Sequence, residues 1–216
     1  MGDRIEKRRL SRTVFVSSQL IVVYILIECA LWSPDTAARN HWALVAALTV
    51  LAFVLIDRPS IRRLGLGLPN AFGATVVLIV SVTGAFVLIL AVNELGGQID
   101  PSATLANLSR SFGYVIWAAI QELLLQSFFF TRCEDLFGSS TAVWAAAILF
   151  AAAHFPSPYL TTFSLAAGLF FCEMFRRYRS VYPLALAHAI LGLAVAVAMP
   201  DSLMHHMRAG IGYLQY

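Results

Sequence analysis

Three ionisable side chains, Glu122, His154 and His188, stand inside apolar runs that approach or reach the length of a bilayer crossing. Two amides, Gln121 and Gln126, flank the first of them in the string QELLLQ. Hydrocarbon makes such groups costly, so they turn toward the inside of a helical bundle and mark candidate sites. Glu122 and Gln126 are four residues apart and share one helix face, while Gln121 sits about 100° around and reaches the same cleft from its flank. A carboxylate with two neutral imidazoles can bind a divalent metal and activate water. It can equally act as general base on water, with one histidine helping and another stabilising an oxyanion. A proton relay in a transporter is a third use. Bis-histidine haem ligation is a fourth, though nothing fixes these two histidines at haem-spanning positions. Interhelical hydrogen bonds, worth about 1 kcal/mol each, would account for the glutamate and the amides but leave two buried histidines unexplained. Glu28 and Glu173 lie near span ends, and Glu173 with Arg176 and Arg177 reads as a surface ion pair.

The elements that must position these groups follow from composition. Of 216 residues, 59% are hydrophobic and 12% charged, against about a quarter charged in soluble domains. Apolar length and punctuation predict an all-α, polytopic transmembrane bundle of about seven spans, near 13–32, 42–56, 72–92, 112–131, 140–155, 159–175 and 181–199. The second and fifth are short. The string PSP breaks the chain between the fifth and sixth. With the N-terminus cytoplasmic, only Arg39, Arg110 and Arg208 of the fifteen Lys and Arg residues fall outside, a strong positive-inside bias that includes Arg4, Arg8 and Arg9 at the start. The first apolar run is longer than a signal-peptide core and reads as a retained helix. Cys29, Cys133 and Cys172 form no CxxC and read as isolated small hydrophobes. No basic–aromatic patch suggests nucleic acid. The expected division is a basic segment with two helices and a loop over 1–70, a membrane core over 71–199, and a short tail over 200–216.

The motifs together resemble the CPBP family of intramembrane proteases, which includes the CAAX prenyl endopeptidases and bacterial Abi-type proteins. QELLLQ stands where the family has EExxxR, and the downstream FFFTRCEDLF is similar to its continuation. FAAAH, Phe150 to His154, matches FxxxH. The segment AAGLFFCEMFRRYRSVYPLALAHAILG resembles the third motif, with His188 as its histidine and Gly192 at its Asn/Asp position. LGLGLP at 64–69 looks like the loop before the family's core. The resemblance is strongest over 112–199.

It implies a water-activated endopeptidase inside the bilayer. The first motif's acid and the FxxxH histidine would activate water, and the third motif would stabilise the oxyanion. Here the first acid is Gln121, and an amide is no general base. The arginine is Gln126 and the Asn is Gly192, so Glu122, His154 and His188 remain. The resemblance therefore implies Glu122 and His154 as water activators and His188 as oxyanion support. Gln121 and Gln126 would position the carboxylate or substrate, with Phe150 and Gly192 at motif positions beside them. No cofactor is expected; zinc is the alternative. The tail, with His205, His206 and Arg208, reads as an interfacial segment anchored by Tyr213 and Tyr216. Its functional reading is a fold over the cavity mouth, with Arg208 as a replacement cation. The expected partners are a membrane-associated peptide or protein substrate and the lipid bilayer, in a bacterial cytoplasmic membrane. The other reading of the same cavity is a non-proteolytic protein that binds a hydrophobic ligand or partner helix.

Overall fold

The computed structural model describes residues 2–95 and 108–215, without the side chains of 2–5, 8, 9 and 108–111. The side chains of Arg4, Arg8, Arg9 and Arg110, most of the expected loop before the fourth span, and Tyr216 lie outside the described residues. What is described is helical from end to end: α1 (Gly2–Leu31), α2 (Thr36–Asp57) and α3 (Ala71–Glu94) come first. Then α4 (Leu108–Glu122) continues through a wide π-helical segment (Leu123–Phe130) into α5 (Thr131–Phe137). α6 (Ser139–Ala152), α7 (Pro158–Tyr178) and α8 (Tyr182–Ala198) complete the bundle. The tail folds as α9 (Asp201–Met204), a 3-10 turn (His205–Met207) and α10 (Ile211–Leu214).

The helix starts obey local chemistry. The Asp35 carboxylate accepts from Ala38 N at 2.7 Å and the Asn70 side chain from Gly73 N at 2.9 Å, capping α2 and α3. Ser157 caps α7 just before Pro158, whose missing N–H costs nothing at the first helical position. This is the PSP break expected from the sequence.

Polarity is inverted relative to a water-soluble domain. Leu48, Leu51 and Leu55 of α2 and Ile79, Phe86 and Val87 of α3 are exposed. Gln19, Glu122, Gln126 and Arg132 are buried. Such a surface fits hydrocarbon as its solvent. Five helical stretches are long and apolar enough to cross a membrane: Leu10–Leu31, Thr36–Asp57, Ala71–Glu94, Phe112–Phe137 and Pro158–Tyr178. A sixth is the bent pair Tyr182–Ala198 and Asp201–Met207, which turns by 119°. Every one of the seven expected apolar runs is helical, but α6 has only 14 residues because the PSP sequence follows so soon.

Two ends of the bundle are chemically distinct. At one, Arg132 pairs with Asp57 at 2.9 Å, Asp135 with Arg63 at 2.5 Å and with Arg12 at 3.6 Å, and Arg179 with Glu134. These residues come from four segments that the charge count placed on one side. At the other end the Gly210 N–H donates to the Phe155 carbonyl at 2.9 Å, and Trp32 packs on Phe155. Arg176 and Arg177 pair with Glu173, as expected from their spacing. The three cysteines are free.

The core that carries the site is built from α3 against α8, α6 against α7, and α4 against α8. Ala142, Ala146 and Ala147 are fully buried or nearly so, and their small side chains let α6 approach α7 closely. The LGLGLP loop wedges under this core. Ser127 Oγ donates to the Leu64 carbonyl at 2.6 Å, Val181 N to the Gly65 carbonyl at 3.0 Å and Tyr182 Oη to the Leu66 carbonyl at 3.1 Å. Gly65 has φ +73°, and a Cβ there would lie 2.3 Å from a Phe175 ring carbon, so glycine alone fits.

Candidate active site

The polar string lies where the long α4–α5 helix widens. Glu122 is the last residue before the π-helical segment and Gln126 lies within it. Such i→i+5 turns are rare and concentrate at functional sites. From Leu125 to Cys133 every residue is buried, so this stretch runs through the bundle with no lipid-facing side.

Glu122 and Gln126 have no exposed surface. Gln126 Nε2 donates to Glu122 Oε2 at 3.0 Å, across the i, i+4 spacing read from the sequence. The other carboxylate oxygen, Oε1, is 2.9 Å from His188 Nδ1 on α8. With the carboxylate ionised, Nδ1–H is the donor and the imidazole keeps its lone pair at Nε2. The His188 ring is clamped: it stacks on Phe171 at 5.3 Å between centroids and meets Phe150 edge-on at 5.8 Å. Phe150 also packs edge-on against His154 at 4.8 Å. It therefore touches both imidazoles. His154 follows the end of α6, and its Nδ1–H donates to the Phe150 carbonyl at 2.7 Å. A carbonyl only accepts, so here too Nε2 is the free nitrogen. Both histidines thus have one nitrogen tied to the protein and one left for chemistry.

A cavity of about 1510 Å³ runs along these groups. Gln121, Phe150, His154, His188 and Gly192 line it; Glu122 and Gln126 do not. The carboxylate sits behind His188. Arg208, His206 and Asp201 line the cavity from the tail. His206 Nδ1 lies 2.5 Å from Asp201 Oδ2, and His205 stacks on Tyr213. Two further features stand out. Gln126 Oε1 is buried without a hydrogen-bond partner. A Cβ at Gly192 would lie 1.7 Å from the Tyr114 hydroxyl, so the phenol occupies the space that a side chain at 192 would need. Sequence reasoning missed Tyr114. Its signal was there: it lies seven residues before Gln121, two turns back on the same face of α4.

Both Glu122 oxygens are engaged inside the protein, behind His188. Among the described residues no three His, Cys, Asp or Glu side chains converge as metal ligands. What the arrangement offers is two imidazole bases in a largely apolar cavity, one of them backed by a buried carboxylate.

Residues 104–194 match the family model described as type II CAAX prenyl endopeptidase Rce1-like. No curated protein and no solved structure matches the chain significantly. The matched stretch holds Gln121, Glu122, Gln126, Phe150, His154, His188 and Gly192 and ends before the tail. The match covers 91 of the 216 residues, and over that stretch the chain is similar to the CPBP/CAAX protease family; with its long apolar helices it is an integral membrane protein of helical build.

Proposed function

We propose that the protein is an intramembrane endopeptidase that hydrolyses a peptide bond of a membrane-associated substrate with water activated by the Glu122–His188 pair. The observation that carries this reading is the 2.9 Å contact between Glu122 Oε1 and His188 Nδ1 at the cavity wall. A buried carboxylate fixes the imidazole tautomer and favours the imidazolium that forms when Nε2 takes a proton from water. In this proposal Glu122 acts through His188 rather than touching water, because both of its oxygens are engaged inside the protein. His154 Nε2 is the second basic nitrogen at the cavity and shares the proton traffic. Gln126 holds the carboxylate, Phe150 holds both rings, and Gln121 and Arg208 contact the substrate from the wall and the tail. We place the arginine-rich end in the cytoplasm, as the positive-inside rule directs, with all seven helical passes crossing a bacterial cytoplasmic membrane.

The largely apolar cavity also favours a second reading, in which it binds a hydrophobic ligand or partner helix without cleaving it. Purified protein in liposomes with a membrane-peptide library in H₂¹⁸O separates the two. Cleavage with one ¹⁸O in the new carboxyl end, lost in Glu122→Gln and His154→Ala, supports the peptidase. Saturable peptide binding with no new carboxyl end contradicts it. Cleavage undiminished in both variants overturns the residue assignment.

A further inference from the structure

Water activation is half of an acyl hydrolysis; the other half is a donor for the oxyanion that forms on the carbonyl. Gln121 and Arg208 carry N–H donors at the cavity wall and tail but are assigned to substrate contact; the groups around His188 supply the base better than the donor. His154 and His188 each have Nδ1–H tied to the protein and a lone pair at Nε2. Glu122 is enclosed and accepts. Gly192, one turn beyond His188 on the same face of α8, has no side chain at all.

The Tyr114 hydroxyl fills that position. An ideal Cβ at Gly192 falls 1.7 Å from Tyr114 Oη and 2.6 Å from Cζ, so the phenol lies directly on the α8 backbone there. Positions one turn apart have Cβ atoms about 5–6 Å from each other, which sets the hydroxyl within reach of a carbonyl held at His188. Tyr114 lines the same cavity as Gln121, His154 and His188. It stands on the cavity face of α4, with the fully buried Ala118 between it and Glu122.

We propose that Tyr114 is a catalytic residue: its hydroxyl donates a hydrogen bond to the oxyanion, from α4, at the place left open by Gly192. This rests on the peptidase reading. Water oxygen bonds to the scissile carbonyl carbon, its proton passes to His188 Nε2, and the carbonyl oxygen becomes the anion that the phenol O–H stabilises. Collapse re-forms the carbonyl and breaks the C–N bond, and the imidazolium proton goes to the leaving nitrogen. The products are a carboxylic acid and an amine, and the phenol keeps its own proton.

The test uses full-length protein in liposomes and a peptide that the wild type cleaves in the library assay. Tyr114→Phe keeps the ring and its packing and removes only the donor. Its kcat falls about 10²–10³-fold with KM little changed, and its melting temperature stays within a few degrees of wild type. A peptidyl trifluoromethyl ketone, which binds as a tetrahedral hydrate, loses about 10²-fold in affinity to this variant, while an uncleavable amide of the same sequence does not. A side-chain exchange adds a gain-of-function arm. Gly192→Asn alone collides with the phenol and is inactive, whereas Tyr114→Ala with Gly192→Asn regains at least tenfold over Tyr114→Ala. Wild-type kcat in Tyr114→Phe, with His188→Ala inactive, overturns the role of Tyr114 and leaves the peptidase reading standing. No cleavage by the wild type overturns both.

Discussion

Two buried polar clusters sit ten residues apart on one continuous helical stretch, around Arg132 and around Glu122. The Arg132 guanidinium meets Asp57 Oδ2 at 2.9 Å, Gln19 Oε1 at 3.0 Å and Thr131 Oγ1 at 3.3 Å, and lies 4.0 Å over the Phe128 ring. It ties α1, α2 and α5 together and reaches no large cavity. The Glu122 cluster is smaller, leaves Gln126 Oε1 without a partner, and backs a histidine that faces about 1510 Å³ of open space. A cluster that only holds helices together satisfies its own polar atoms. The second cluster leaves imidazole bases facing space for a substrate, with an orphan oxygen buried behind them. In the sequence Glu122 stands inside an apolar run and Arg132 among the charges just past its end; what separates the two clusters in the fold is geometric.

Variants that strike one cluster and spare the other sharpen this contrast. The largest effect is expected from His188→Ala, which removes the base: turnover per folded molecule falls by about 10³–10⁴-fold, and the melting temperature drops as well because Glu122 Oε1 is left buried without its partner. Steady-state cleavage in liposomes alongside a thermal melt reads both quantities. Arg132→Ala should lower stability and spare turnover. It strips Asp57 and Gln19 of their partner and costs about 3 kcal/mol, read as a lower melting temperature in detergent, because breaking a buried pair is worth 3–5 kcal/mol and Asp57 is partly solvated. Turnover per folded molecule should stay within about threefold of wild type, since this cluster is not part of the cavity. Gly65→Ala forces a Cβ into the Phe175 ring at φ +73° and should cost about 2 kcal/mol, with some loss of activity because the loop holds Ser127 in the π-helical segment. The smallest stability change belongs to Gln126→Met. It removes one hydrogen bond and one unsatisfied oxygen together, so stability shifts by less than about 1 kcal/mol. Activity should still fall about tenfold, because Glu122 loses its second anchor.

Much of this was legible in the sequence. Seven apolar runs marked seven helical stretches, PSP marked the break before α7, and Glu122 with Gln126 one turn apart marked a shared face. These are local signals of apolar length, chain breaks and the 3.6-residue period. Less legible was what depends on packing between distant segments. The contact between Glu122 and His188 spans 66 residues, and nothing local says which nitrogen it engages. The bend of 119° after α8 and the shortness of α6 follow from the proline breaks, but the way the tail then lines the cavity does not. Tyr114 is the sharpest case. Gly192 read as a lost side chain, and only the fold brings a phenol from α4 into its place.

The most direct measurement compares Glu122→Gln with Arg132→Met in the same liposome cleavage assay, each corrected for folded protein. The account predicts that Glu122→Gln loses at least 10²-fold in turnover with an unchanged melting temperature. Arg132→Met should keep turnover within about threefold of wild type even where its melting temperature drops. Equal turnover in the two variants, or a loss in Glu122→Gln that only tracks its stability, would contradict the assignment of the Glu122–His188 pair as the centre of the chemistry.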